Sequence, residues 1–137
     1  MQDLFVGKWI LNIEKSEFDA NHRPRAGTMV VELDERGYYL QNAEGISEKG
    51  EKCAEKPMRF IADGKPHPIP DFPGLKYVTT KPDANTMTGE VTREDGSVVG
   101  GSTTVISADG NSKTVTNFGY DTQFRQFKLK TVWDRQP

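Results

Sequence analysis

Turn signals recur along this chain at intervals too short for long helices. They fall at residues 34–37, 63–64, 82–85, 95–96 and 109–111, where Asp, Asn and Gly cluster. Asp-Gly pairs supply the positive φ angles that tight hairpins require. Short strands between such turns are typical of an antiparallel meander, closed as a barrel or stacked as a sandwich.

The segments between the turns predict nine strands, at residues 8–13, 28–33, 38–43, 53–61, 75–81, 86–93, 97–106, 112–120 and 127–134. Nine strands cannot close an all-antiparallel barrel, because the first and last would run in the same direction. A tenth strand at 65–69, kept short by two prolines, restores the parity. We therefore expect an all-β fold, a single antiparallel up-and-down β-barrel of about ten strands. Helix is expected only as short turns near residues 3–6 and 15–20.

Length and composition support one domain spanning residues 1–137. Only 34% of the 137 residues are hydrophobic, so we expect an economical core or one wrapped around a cavity. The formal net charge of −2 argues against nucleic acid as the main partner. No apolar run approaches the ~20 residues of a membrane span. The sequence assigns no oligomeric state.

Three motifs resemble a known family. They are Gly7-Lys8-Trp9 and the residues after it as far as Phe18, the turn Asp63-Gly64-Lys65, and the ending Trp133-Asp134-Arg135-Gln136. Together they resemble the lipocalin (calycin) superfamily, and more closely a group of uncharacterised bacterial lipocalin-like proteins, over essentially the whole chain. The resemblance implies a lipocalin-like barrel and no particular chemistry. It also implies that Trp9 plugs one end of the barrel and that Arg135 stacks across it.

Strand parity sorts the longer loops to the end opposite Trp9, where a ligand would reach the interior. Our first hypothesis is binding of a small apolar or amphipathic molecule in the barrel cavity, without transforming it. The predicted ligand-binding side chains are Leu40, Phe60, Tyr77, Met87, Phe118 and Leu129. In the alternative, the first long loop merely covers a filled barrel.

The second hypothesis is an enzyme of the same fold doing proton-transfer chemistry, as an isomerase, lyase or cyclase. His67 lies between two prolines and is the candidate catalytic base, with Tyr38 or Tyr120 as the acid. Alternation places Tyr38 on the face of Leu40, and Tyr120 on that of Phe118, so both are predicted to point inward. A solvent-facing histidine and core tyrosines are the simpler interpretation, so we favour binding over catalysis. A third hypothesis is a module whose outer face or loops bind another protein.

The remaining reactive side chains predict no metal site and no cofactor. His22 and His67 are 45 residues apart without spaced partners, although haem held by either one stays an alternative. The single cysteine, Cys53, is predicted to be a buried thiol. Met1-Gln2-Asp3 does not begin a signal peptide, so the compartment is unassigned, and a periplasmic or secreted location is expected only if a leader was removed.

Overall fold

The fold is a meander of short strands. A computed structural model describes residues 3–18, 24–54, 57–70, 72–120 and 126–136, with only the backbone of Tyr120. The strands are β1 (Gly7–Glu17), β2 (Ala26–Leu33), β3 (Tyr38–Ile46), β4 (Lys52–Ala54), β5 (Met58–Ile61), β6 (His67–Pro68), β7 (Leu75–Asp83), β8 (Thr86–Arg93), β9 (Val98–Ile106), β10 (Ser112–Tyr120) and β11 (Gln126–Gln136). Within this described part the protein is all-β. No helix there is long and apolar enough to cross a bilayer.

The strands form one antiparallel sheet in which the first strand pairs with the last. The order is β4-β3-β2-β1-β11-β10-β9-β8-β7-β6, and β5 also pairs with β3. The β1–β11 register runs from Lys8 opposite Gln136 to Asn12 opposite Val132. An up-and-down sheet joined end to end in this way confirms the predicted fold class. Stacked sheets would have left β1 and β11 apart.

The ring of strands is interrupted between β5 and β7. The predicted strand at 53–61 is divided into β4 and β5, both on β3. The predicted tenth strand is β6, in which His67 and Pro68 pair with Tyr77 and Lys76 of β7. Between β5 and β7 the backbone N–H of Gly64 donates to the carbonyl of Thr79 at 2.9 Å. The ring is therefore bridged at this gap and is not strictly closed.

The core fills one end of the barrel. We call this the closed end, where β1 begins and β11 finishes, and we call the opposite end the open end. The buried cluster at the closed end consists of Phe5, Trp9, Leu11, Met29, Val31, Tyr39, Met87, Ile106 and Trp133. Alternate residues of each strand point inward, as the pleat requires. The lean hydrophobic content is thus concentrated in one region.

Three predicted inward-facing side chains lie on the outer face. Leu40 is 37% exposed and Phe118 is 42% exposed. Tyr38 packs outside under Arg59, whose guanidinium carbon lies 4.3 Å from the ring centroid. In β3 it is Tyr39 that is buried, and a shift of one residue reverses every side chain of a strand. The prediction that Tyr38, Leu40 and Phe118 face the interior is therefore wrong.

Phe118 has a structural role on the outer face. Its ring lies against Gly101, the residue opposite it on β9. A Cβ at Gly101 would stand 2.8 Å from the Phe118 ring and 2.6 Å from the carbonyl oxygen of Gly89. The aromatic ring therefore covers a stretch of backbone that has no side chain of its own.

Two smaller predictions also need correction. Cys53 is exposed on β4, because this short strand covers only the end of β3. The helical turn expected at 15–20 is wrong for residues 15–17, since β1 continues to Glu17. Residues 19 and 20 lie outside the described residues.

Candidate functional site: the barrel interior

The closed end is sealed by an arginine stacked on a tryptophan. The guanidinium carbon of Arg135 lies 4.2 Å from the ring centroid of Trp9, which is fully buried. Arg135 also donates hydrogen bonds to the carbonyls of Val6 and Gly110, each at 2.7 Å, and to that of Leu4. The expected stack of Trp9 and Arg135 is confirmed, and it ties three chain segments together.

Gly7 is part of the same seal. Its φ is +148°, a conformation that residues with a side chain rarely adopt. A Cβ at this position would stand 2.5 Å from Nη1 of Arg135. The glycine of the Gly7-Lys8-Trp9 motif therefore makes room for the arginine that covers the tryptophan.

A lysine lies on the same tryptophan inside the barrel. Lys113 is only 3% exposed, and its Nζ lies 4.6 Å from the ring centroid of Trp9 and 5.8 Å from that of Trp133. Its hydrogen-bond contact is the Sδ of Met29, at 2.9 Å. Burial and, secondarily, the nearby Arg135 charge lower the pKa of Lys113 to about 7. The neutral form of the amine is therefore much more accessible near neutral pH than it is for a lysine in water.

A second set of polar side chains at the closed end, Asp3, Tyr39 and Lys81, forms hydrogen bonds and an ion pair among its own members. The Tyr39 hydroxyl donates to Asp3 Oδ2 at 2.5 Å, and Lys81 Nζ reaches both that oxygen and the Tyr39 hydroxyl. Burial raises the pKa of Asp3, but the hydrogen bonds from Tyr39, the Phe5 N–H and Lys81 outweigh it and leave the pKa lowered. Burial and the bond to Asp3 raise the pKa of Tyr39. The group is a structural network.

Toward the open end, the inner side chains are less covered. From the closed end to the open end they change from buried to half-buried on β8 (Met87 to Val91), β10 (Lys113 to Asn117) and β11 (Trp133 to Leu129). Two concavities formed by described residues lie at this end. One of about 440 Å³ is lined by Leu75 and Arg93 among others, and one of about 380 Å³ by Ile13 and Phe18 among others. Solvent therefore reaches the inner surface from this side.

His67 belongs to a cluster at the gap between β5 and β7. Its Nε2 lies 2.9 Å from Asp63 Oδ2, and its ring stacks on Tyr77 with centroids 5.2 Å apart. The β6–β7 register places His67 and Tyr77 on one face. Burial raises the pKa of Tyr77, partly offset by a backbone hydrogen bond from Ile61. A backbone hydrogen bond from Lys65 and then the contact with His67 lower the pKa of Asp63.

The structure brings together only part of the predicted site. Phe60, Tyr77, Met87 and Leu129 lie on the inner face, where Phe60 stacks on the buried Tyr39 with centroids 5.4 Å apart. Leu40 and Phe118 do not belong to it. His67 has Tyr77 beside it, and the predicted partner Tyr38 lies on the outer face. The side chain of Tyr120, and the whole of His22, lie outside the described residues.

Sequence reasoning missed Lys113, the most unusual interior residue. It stands between Ser112 and Thr114, a context typical of a solvent-facing strand position. The register of β10 with its two neighbouring strands indicates that Lys113 points inward. Lys113 lies opposite Ile106 on one side and Trp133 on the other. Both neighbours are buried, so the lysine shares their face.

Comparison with known proteins finds similarity in structure alone. No protein-family model and no curated protein sequence matches the chain. The structure is similar to that of the fluorescent protein UnaG, with a TM-score of 0.64, 12% identity, and coverage of 99% of this chain and 100% of that one.

Two solved structures with a named ligand class are also similar. Zebrafish ileal bile acid-binding protein complexed with cholic acid has a TM-score of 0.59 and 13% identity, with coverage of 97% of this chain and 99% of that one. As-p18, an extracellular fatty acid binding protein, has a TM-score of 0.54 and 12% identity, with coverage of 98% and 97%. At such identities the likeness concerns the fold, and this chain shares with these structures the fold of an up-and-down β-barrel.

Proposed function

We propose that this protein binds a small apolar or amphipathic molecule inside its barrel. The single observation that carries the proposal is the change from buried to half-buried inner side chains between the closed and open ends. A barrel that only needed to fold would cover its inner face along the whole length. Here one end is sealed by Trp9 and Arg135, and the other leaves apolar inner surface within reach of solvent.

The chemistry of the inner face supports an apolar ligand. Phe60, Tyr77, Met87 and Leu129 would contact the molecule through aromatic, thioether and aliphatic groups, which offer dispersion contacts and few hydrogen bonds. The similar structures named for bile acid and fatty acid binding agree with this ligand class. Arg93, on the inner face at the rim by its register with Leu75, offers a charge for a polar end group.

We also propose that the chain belongs to the lipocalin-like group described above and that it forms a single domain. The motifs shared with the bacterial lipocalin-like group support membership of that group, and one ring of strands containing both β1 and β11 supports a single binding domain over residues 1–137. Proton-transfer catalysis stays the alternative prediction, with the pair of Asp63 and His67 as an oriented base.

Titration with the fluorescent polyene fatty acid parinaric acid tests the proposal. Its emission should rise and saturate at one molecule per chain. Leu129→Trp should weaken binding at least about tenfold, because a bulkier side chain occupies inner space at the open end. Lys128→Trp is the matched control, since Lys128 precedes Leu129 on β11 and is exposed.

Two results would contradict the proposal. One is emission that does not saturate at a defined stoichiometry. The other is an equal effect of Leu129→Trp and Lys128→Trp, which would place the probe on the outer surface. Circular dichroism of each variant separates lost binding from lost folding.

A further inference from the structure

Lys113 carries an amine across the interior of the barrel. The residue belongs to β10, yet its Nζ lies 2.9 Å from the Sδ of Met29 on β2. In the sheet order, β11 and β1 stand between these two strands. The side chain therefore passes over the inner faces of both, above Trp133 and Trp9, and its amine lies on the inner side of the ring of strands, among the residues of the closed-end core.

No carboxylate in the described part of the chain holds this amine as an ammonium ion. Among the described residues, no ion pair involves Lys113. Asp3, a carboxylate in the closed-end network, is already hydrogen-bonded to Tyr39 and Lys81. The charge that acts on Lys113 is the guanidinium of Arg135, which stacks on the same Trp9 ring. A thioether and two indoles stabilise an ammonium ion far less than a carboxylate would.

These surroundings are those of a nucleophilic amine. A lysine becomes reactive at neutral pH when burial or a neighbouring cation favours its unprotonated form, and Lys113 has both causes, with burial the larger. Lysines in water stay protonated at neutral pH and react slowly. Water is also scarce around a side chain that is 3% exposed, which protects a product that water would hydrolyse.

We propose that Lys113 is a covalent site for apolar aldehydes, which bind in the barrel and form a reversible imine with its amine. The nitrogen lone pair attacks the carbonyl carbon and gives a carbinolamine. Loss of both amine protons with the carbonyl oxygen releases one water and leaves a carbon–nitrogen double bond. No electrons are exchanged with an oxidant or reductant, and hydrolysis reverses the step. The inference rests on the proposed function, because the aldehyde must first enter the interior.

Reductive trapping tests the site. The protein is incubated with cinnamaldehyde and sodium cyanoborohydride near neutral pH, digested, and mapped by mass spectrometry. The adduct at Lys113 should exceed that at exposed lysines such as Lys128 by at least about tenfold, because an ordinary lysine is almost fully protonated there. Lys113→Met and Lys113→Arg should abolish this adduct, and Lys128→Met should leave it unchanged.

The pH profile separates a reactive amine from a merely accessible one. Trapping at Lys113 should rise to a plateau just above neutral pH, whereas trapping at exposed lysines should keep rising as the pH is raised further. A common profile for all lysines would overturn the inference. Arg135→Lys, which keeps a cation at the seal, should retain the low-pH plateau.

Cinnamyl alcohol distinguishes failure of this inference from failure of the proposed function. The alcohol has the same shape and no carbonyl group, so it should displace parinaric acid from both the unmodified protein and Lys113→Met. If the alcohol binds but no adduct forms at Lys113, the covalent site is wrong and the binding function stands. If neither cinnamaldehyde nor cinnamyl alcohol displaces parinaric acid and no adduct forms, both the covalent site and the proposed binding function are wrong.

Discussion

At the scale of single residues, Trp9 has a basic side chain on its ring from each of two strands. The guanidinium of Arg135 and the amine of Lys113 lie 4.2 Å and 4.6 Å from centroids of its indole. Arg135 donates to three carbonyls, whereas among the described residues the amine of Lys113 has one hydrogen-bond contact, the sulfur of Met29. Arg135 therefore stabilises the fold. Lys113 destabilises it, and a role in reacting with a ligand would explain why a lysine is present at this position.

Replacing Arg135 should strongly destabilise the fold. Arg135→Ala leaves the carbonyls of Leu4, Val6 and Gly110 without their donor and removes the stack on Trp9, so the free energy of unfolding should fall by about 2–4 kcal/mol. Urea denaturation monitored by tryptophan fluorescence measures it. Arg59→Ala is the control, because Arg59 also stacks on an aromatic ring and pairs with Asp34 but is exposed, and it should cost at most about 1 kcal/mol. Equal losses would show that the seal is no stronger than a surface contact.

Lys113 should make stability depend on pH in an unusual direction. Its pKa is about 7 in the folded protein and near its usual value of 10.5 in the unfolded chain. Between these values the unfolded chain binds the proton that the folded chain has lost, so the free energy of unfolding should rise with pH, by about 2 kcal/mol from about pH 7 to about pH 9. Below that window the lysine's penalty is constant and largest.

Lys113→Met isolates this contribution. The methionine keeps an unbranched side chain of similar length, so the variant should be more stable than the unmodified protein near neutral pH, and the difference should shrink as pH rises. The other ionisable groups at this end, Arg135, Asp3, Tyr39 and Lys81, are present in both proteins, so their contributions cancel in the comparison. A stability difference independent of pH would mean that Lys113 keeps its proton throughout.

At the scale of the strands, stability is distributed unevenly around the ring. β1, β10 and β11 are long and paired along most of their length, whereas β5 and β6 have four and two residues. One backbone bond, from Gly64 to Thr79, and the contacts of His67 with Asp63 and Tyr77 bridge the gap. This gap is the weakest part of the described sheet.

Hydrogen exchange should show this difference directly. The amides of β1 and β11 at Leu11 and Trp133 should exchange only through global unfolding, and those of Gly64 and His67 through local opening at least about a hundredfold faster. Asp63→Asn should accelerate exchange at Gly64 and leave Trp133 unchanged. Equal protection at both places would show that the ring is as stable at the gap as elsewhere.

The number and positions of the strands were the features that the sequence predicted best. The turns at 34–37, 63–64, 95–96 and 109–111 placed the strands, and parity correctly required the short β6. Strand faces were harder, because Tyr38 and Tyr39 are chemically alike and only the partner strands decide which one is buried. Lys113 was missed for the same reason, since its burial depends on Ile106 and Trp133, which lie opposite it on the two neighbouring strands.

At the scale of the whole molecule, one end of the barrel provides stability and the other end is available for binding. The closed end concentrates the buried aromatic residues and the Arg135 seal, so it can provide most of the stability of a chain with 34% hydrophobic residues. The open end is then free to keep half-buried apolar surface for a ligand. A stable end of this kind also explains how the buried amine of Lys113 is tolerated inside.

Filling the interior with ligand should stabilise the whole barrel. A molecule that binds only the folded protein raises its melting temperature with concentration, by an amount fixed by the ratio of concentration to Kd. We expect parinaric acid to raise the melting temperature of the unmodified protein and of Lys128→Trp, and to raise that of Leu129→Trp less. A lowered melting temperature would indicate that the fatty acid prefers the unfolded chain.

The central claim is that the ring of strands encloses a molecule reached from the open end. A crystal structure with a bromine-tagged saturated fatty acid tests it most directly, because the anomalous signal of bromine locates the ligand without interpretation of weak density. We predict a bromine peak inside the barrel, within contact distance of Leu129, Met87 or Phe60. A peak only on the outer face, beside Leu40 or Phe118, with side chains filling the axis, would contradict the account.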